Sequence, residues 1–289
     1  MGIFGKDIGS DITPSMRDRS ITQQAGALVS IVVPSKNKTK DLSRLLETLE
    51  QQTVRPFEII VVASGPTGDL DLIAARYNAV VAARDCGMSE ARNIGASLAT
   101  GRYLLFLDSD MLLSPSVVEE CLLCSEAGFD PVIIPEISVG RGFWAKCKQL
   151  EKECYLGDDA VESARFFGAS LFRQLGGYDS ELLAGEDMDM TLRARSNGAR
   201  VGRARSMIYH NEGHLTLAGD VTKKFRYGRT LKRYAAKQPA AFRRQRRLLR
   251  PAFLRNLRTI SSEPLVGAGL IFLKSCELFA YAVGMVWSE

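Results

Sequence analysis

The sequence predicts an α/β protein built on a doubly wound, mostly parallel sheet, followed by a helical extension that is first basic and then apolar. Three observations carry that expectation. Short β-branched apolar runs alternate with stretches of helical periodicity between residues 29 and 107. The 289 residues, 46% hydrophobic and 25% charged, suit one large α/β domain or two small ones and exclude a disordered or collagen-like chain. Charge is also segregated. Residues 223–258 hold 14 Lys or Arg and no Asp or Glu, so the net charge of +5 hides a body with 24 basic against 33 acidic residues.

In chain order, residues 1–27 are polar, with no apolar segment of the secretory kind, and read as a flexible leader to a cytoplasmic fold. Val29 to Pro34 reads as a buried strand stopped by proline. Leu42, Leu45, Leu46 and Leu49 then mark a helical face over Asp41 to Gln52. Glu58 to Ala63 is a second strand, Asp69 to Tyr77 a helix, Val80 to Ala82 a third strand, Ser89 to Ala99 a helix and Tyr103 to Leu107 a fourth strand. The six cysteines (Cys86, Cys121, Cys124, Cys147, Cys154 and Cys276) are thinly spread, which suits a reducing compartment. Cys121 and Cys124 lack a second pair, so a zinc site is disfavoured.

Ligands of such sheets bind beyond the carboxyl ends of the strands, so the segments that follow the strands matter most. Pro34-Ser35-Lys36-Asn37-Lys38 has no glycine-rich loop, which argues against a dinucleotide fold, a P-loop and a sugar nucleotidyltransferase. Asp108-Ser109-Asp110 follows the apolar Leu104-to-Leu107 run. Two carboxylates one residue apart at that place can share Mg²⁺ or Mn²⁺ and leave positions for a diphosphate, although a plain turn has the same spelling.

Taken with Gly87-to-Gly95, Gly176-to-Asp179 and Gly185-to-Gly198, these segments resemble, in order and spacing, the family-two inverting glycosyltransferases of the Rossmann-like GT-A fold. The likeness runs over roughly residues 28–215, and the domain expected from it over 28–219. It implies transfer from a nucleotide sugar, with Asp110 as direct metal ligand, Asp108 on the ribose or metal, and His210 completing the metal shell or touching the diphosphate. It implies Asp187 as the base and Glu186 as its support. Pro34, Ser35, Lys36, Ala63, Arg92, Asp108 and Ser109 are the nucleotide-sugar contacts it suggests. Arg92 suits either a phosphate or a structural pairing with Asp108 or Asp110. Ser89 is placed to cap its helix, and residues 135–175 to line the acceptor side. One departure stands out: the family's Asp after the second strand is replaced by Ala63, so the base must be recognised differently, with Asp85 and Lys36 as candidates.

Residues 220–289 form the extension. Its basic part mixes Lys and Arg with aromatics, a pattern also found on nucleic-acid binders. The apolar run Leu265 to Trp287 is 23 residues long, near the roughly 20 that span a bilayer, and favours an anionic membrane surface over nucleic acid, with a core helix of a soluble fold ranked between the two. Lys274 and Glu277 lie one turn apart, as on a polar stripe of an interfacial helix. The sequence therefore predicts a metal-dependent inverting glycosyltransferase with a lipid-linked or polysaccharide acceptor. It would sit at the cytoplasmic face of the cell membrane, peripheral or with a single C-terminal anchor. The alternatives are a sugar nucleotidyltransferase and a non-enzymatic binder of anionic lipid or RNA.

Overall fold

The computed structural model describes residues 28–36, 38–55, 57–65, 68–247 and 250–287; the leader expected over residues 1–27 lies outside them. Strand β1 (Val29–Ser35) is buried along its whole length, as a central strand covered on both faces must be. It pairs in parallel with β2 (Phe57–Ala63), which pairs with β3 (Val80–Ala83), and on its other side with β4 (Tyr103–Phe106). The chain next forms β5 (Met111–Leu113), β6 (Val132–Ile133), β7 (Glu136–Arg141), β8 (Ala164–Gly168), β9 (Gly202–Arg203) and β10 (Ile208–His214). The main sheet runs β3-β2-β1-β4-β8-β6-β9, and only β8 is antiparallel to its neighbours. A small second sheet, β5-β10-β7, sits beyond the carboxyl end of β4.

Alternation along β1 divides the core. Ile31 and Val33 face Leu42, Leu45, Leu46 and Leu49 of the helix Thr39–Glu50, the stripe its periodicity announces. Val32 faces the opposite layer, where Phe106, Phe167, Phe172 and Tyr178 pack ring on ring with centroids 4.9 to 6.5 Å apart. The helices Gly68–Arg76 and Met88–Leu98 complete the alternation. Ser89 does not cap the latter: it lies inside the helix after Gly87, and its hydroxyl donates to the Leu182 carbonyl.

The described residues from 217 to 287 fold as helices joined by short turns. The arm helix Leu217–Lys237 runs across residue 219, where the sequence places the end of the main domain. Three short helices lead to the tail helix, Pro264–Val286. Tail and arm cross with their backbones nearly touching at Gly228 and Gly284. A Cβ on Gly284 would lie 2.2 Å from the Phe225 carbonyl oxygen, so no larger residue fits. The tail also packs on the helix Phe143–Tyr155 through Leu270 and Leu273.

Lys274 and Glu277 do not form a stripe open to a membrane surface. Both are buried in a charge network with Lys148 and Glu151 of that helix: Lys148 meets Glu277 at 2.6 Å and Glu151 at 2.7 Å, and Lys274 meets Glu151 at 2.7 Å. Lys224 of the arm adds a contact to Glu277 at 3.7 Å. The outward face of the tail is apolar instead. Leu265, Phe272, Phe279 and Val286, seven residues apart, are 81%, 54%, 72% and 78% exposed. By length and composition this helix could cross a membrane.

Candidate active site

The acidic motifs and His210 reach the site from the carboxyl end of the main sheet and from the small sheet, while Lys152 and Lys223 reach it from the helix Phe143–Tyr155 and from the arm. The β4 ladder extends one step further, Leu107 N–H donating to the Val32 carbonyl, before the chain turns through Asp108-Ser109-Asp110 into β5. Antiparallel pairing of β10 with β5 sets His210 opposite Met111, and the Asn211 N–H donates to the Asp110 carbonyl. That register places His210 Nε2 3.2 Å from Asp110 Oδ1. The other ring nitrogen lies 3.2 Å from Glu136 at the start of β7. Burial alone would depress the imidazole, but hydrogen bonds and charge from Asp110 and Glu136 outweigh it and push His210 up to about 10. Burial likewise opposes ionisation of Asp110, yet His210 and Lys38 hold its carboxyl well below the usual range. Lys38 forms an ion pair with Asp110 from the turn after β1.

Arg92 ties the two acidic motifs together. It is 3% exposed, donates to Asp108 Oδ1 at 2.6 Å and to Glu186 Oε1 at 2.8 Å, and reaches Asp187 Oδ1 at 3.5 Å. Its guanidinium stands 5.5 Å from the centre of the Tyr178 ring. Arg165 of β8 approaches Asp108 at 3.6 Å and binds Glu136 at 2.9 Å; Lys152 binds Glu136 at 2.8 Å. Burial and then the neighbouring charge of Asp187 push Glu186 above the usual carboxyl range, against Arg92. Glu186 and Asp187 open the helix Glu186–Ser196 after Gly185, whose φ of 85° makes the left-handed turn into it. Negative charge is favoured at that end of a helix.

Asp187, His210 and Lys223 line two adjoining cavities. One, of about 350 Å³, also holds Pro34, Lys36, Arg92, Asp108, Ser109, Asp110 and Glu186. The other, of about 340 Å³, is walled in part by Glu136, Lys152, Tyr155, Glu162 and Arg165, within the stretch the sequence assigns to an acceptor, and in part by Asp220 and Lys224 of the arm and Lys274 of the tail. Two expected contacts stand apart from this group. Ala63 packs in the core beneath the sheet end, and Ser35 is buried, its hydroxyl without a hydrogen-bond partner among the described residues. Neither lines the first cavity.

Asp108, Asp110 and His210 are not gathered as one metal cluster, and no group of three such side chains is found among the described residues. Asp108 is turned to Arg92 and Arg165 instead. Asp110 and His210 Nε2 remain side by side, and one or two protein ligands suffice for a Mg²⁺ or Mn²⁺ that also binds phosphates. The donor chemistry fits such an ion, provided the imidazole is neutral when it ligates.

Glu136, Arg165, Lys152 and Lys38 are the members that sequence reasoning missed. Arg165 carried a signal, a lone charge beside Phe166 and Phe167 in an otherwise apolar strand. Glu136 and Lys152 carried none, since neither belongs to a spaced motif.

A family model described as "Glycosyl transferase family 2" matches residues 30–174, half of the chain. An uncharacterised glycosyltransferase of Haemophilus influenzae is 28% identical over 57% of this chain, and the match covers 61% of that relative's length. A PGL/p-HBAD biosynthesis glycosyltransferase of Mycobacterium bovis is 29% identical over 66% of this chain and 80% of its own. Among solved structures, the mannosyltransferase from Pyrobaculum calidifontis in complex with GDP-Man and Mn²⁺ superposes with a TM-score of 0.59 at 15% identity, covering 90% of this chain and 87% of that one. S. aureus TarS in complex with UDP-GlcNAc gives 0.56 at 18% identity, covering 89% and 90%. The fold is GT-A.

Proposed function

The chain belongs to glycosyl transferase family 2 and is a glycosyltransferase, and from that premise we propose that it moves a sugar with inversion from a nucleotide sugar to a lipid-linked or glycan acceptor. The observation that carries this reading is Asp187 at the junction of the two cavities, tethered through Arg92 to Asp108. The first cavity takes the donor, with its diphosphate toward Lys36, Lys38 and Lys223. The second takes the acceptor. Asp187 accepts the proton of the acceptor hydroxyl as its oxygen bonds to the anomeric carbon. The bond from that carbon to the diphosphate breaks, and the diphosphate leaves with the electron pair. Arg92 holds Asp187 and Glu186 in place. Asp110 and His210 would hold Mg²⁺ or Mn²⁺, which when bound stabilises charge on the leaving diphosphate. Because Ala63 offers no side-chain acceptor, the base is read by other groups, Lys36 among them.

We place the protein at the cytoplasmic membrane face. The exposed ridge Leu265, Phe272, Phe279 and Val286 supports a tail lying in the interface, its charged face being committed to the protein.

The test is a thermal-shift panel of UDP, GDP, CDP and dTDP, each with and without Mn²⁺, on the wild type and Asp110→Asn. A ligand at about a hundred times its Kd stabilises by roughly 2.7 kcal/mol. The expected result is one nucleotide with a metal-dependent shift that Asp110→Asn loses, together with donor turnover that Asp187→Asn loses. No shift with any nucleotide overturns the reading.

A further inference from the structure

A third cavity, of about 390 Å³, lies between the arm and tail helices, away from the charged site. Leu231, Tyr234, Phe242, Leu278, Tyr281 and Met285 give it a largely apolar lining. Its inner wall is Ala184 and Gly185, immediately before Glu186 and Asp187 in the chain, and the Tyr234 ring packs against Gly185. Two lining residues are solvent-exposed. Ala282 opens the cavity toward the face of the tail that carries Phe272 and Phe279, and Arg246 follows the helix Pro239–Gln245.

We propose that this cavity binds the aliphatic chain of an anionic amphiphile, the hydrocarbon portion of a lipid-linked acceptor, with Arg246 beside its charged head. An apolar lining has no use for a sugar or nucleotide, whereas it gains from each buried methylene. The exposed arginine at the opening complements a phosphate or other anionic head. Continuity with the apolar ridge gives a chain a route in from a membrane surface. A second copy of this protein is a poorer occupant, because it would bring two arms together that hold 14 Lys or Arg and no acidic residue over residues 223–258. A chain seated here lies one turn of backbone from Asp187, which connects it to the acceptor side. The acceptor role, but not the binding of a chain, rests on the transferase reading above.

The experiment is calorimetric titration of the full chain with n-alkyl phosphates from hexyl to tetradecyl, below their aggregation concentrations. Inorganic phosphate and alkyltrimethylammonium ions serve as control arms, with Ala282→Trp and Arg246→Glu as variants. Affinity should rise about fourfold per added methylene and then level off once the cavity is full. Ala282→Trp, which fills the cavity from its exposed side, should cost the long chains roughly tenfold or more. Arg246→Glu should weaken alkyl phosphates but not alkyltrimethylammonium, and inorganic phosphate alone should bind far more weakly. A rise without a plateau, or one unchanged in Ala282→Trp, means adhesion to the outer ridge and overturns the proposal. Equal binding of alkyltrimethylammonium and phosphate series overturns the anionic head. Nucleotide diphosphates titrated into the same samples separate the two readings. If they bind and alkyl phosphates do not, the chain site falls and the transferase reading stands; the converse leaves the chain site standing and removes its acceptor role.

Discussion

Asn93 and Tyr178 pair as two strand residues would: the Asn93 amide donates to the Tyr178 carbonyl at 2.8 Å, and its Oδ1 accepts from the Tyr178 N–H at 2.9 Å. One side chain thus locks the Gly176-Gly177 turn onto the helix that carries Arg92. A Cβ on Gly177 would come within 2.6 Å of that same Oδ1, which explains the second glycine. Asn93→Ala leaves two backbone groups without partners. It should cost about 1–3 kcal/mol in denaturant unfolding and lower turnover as well, since the ring under Arg92 is no longer held.

Arg92 compensates Asp108, Glu186 and Asp187 from a position closed to water. Arg92→Ala should lose about 3–5 kcal/mol, because it leaves the mostly buried Glu186 and Asp187 without their ion-pair partner. Arg92→Lys keeps the charge but not the fork that positions Asp187, so it should fold while donor turnover falls about a hundredfold. Wild-type turnover in the folded lysine variant would refute the bridging role.

Glu277 faces three lysines from a fully buried position. Glu277→Gln should destabilise the fold by about 3–5 kcal/mol and expose the tail to limited proteolysis. The double change Glu277→Leu with Lys274→Met should cost less than Glu277→Gln alone, since a buried network replaced by apolar groups is often tolerated.

Asp220 borders the same network, and burial, with Glu277 adding to it against Lys224 and Lys148, raises its carboxyl to about 6. A carboxyl raised in the fold favours the protonated form. Its stabilising contribution is whole below the unfolded value near 4 and is lost as pH rises through about 6. Asp220→Asn should therefore gain stability relative to the wild type between pH 5 and pH 8. Parallel Tm profiles across that range would contradict this.

Much of the fold was legible because its signals are local. Four leucines at helical spacing need no partner to be recognised, and neither does a β-branched run ended by Pro34. The acidic motifs were legible for the same reason, as short spellings behind predicted elements. What escaped depends on pairing across the chain. Glu136 reaches His210 only through the alignment of β7 with β10, and Arg165 reaches Asp108 only because β8 enters beside β4 in the opposite direction. Lys274 and Glu277 were visible as a pair one turn apart, but periodicity does not say whether such a pair faces water or a second charged pair. Lys148 and Glu151, also three residues apart on an amphipathic helix, supply the answer only once the two helices are side by side.

The small sheet gives the folding chain a means of proofreading. Side chains alternate along β10, so a slip of one residue against β5 would turn His210 to the other face and offer Asp110 a neighbour such as Tyr209 or Asn211. Asp110 and Glu136, both mostly buried at the cavity walls, would each lose a cation. Misregistration is thus an electrostatic fault before it is a packing fault, and only a chain paired in the right register has a quiet site.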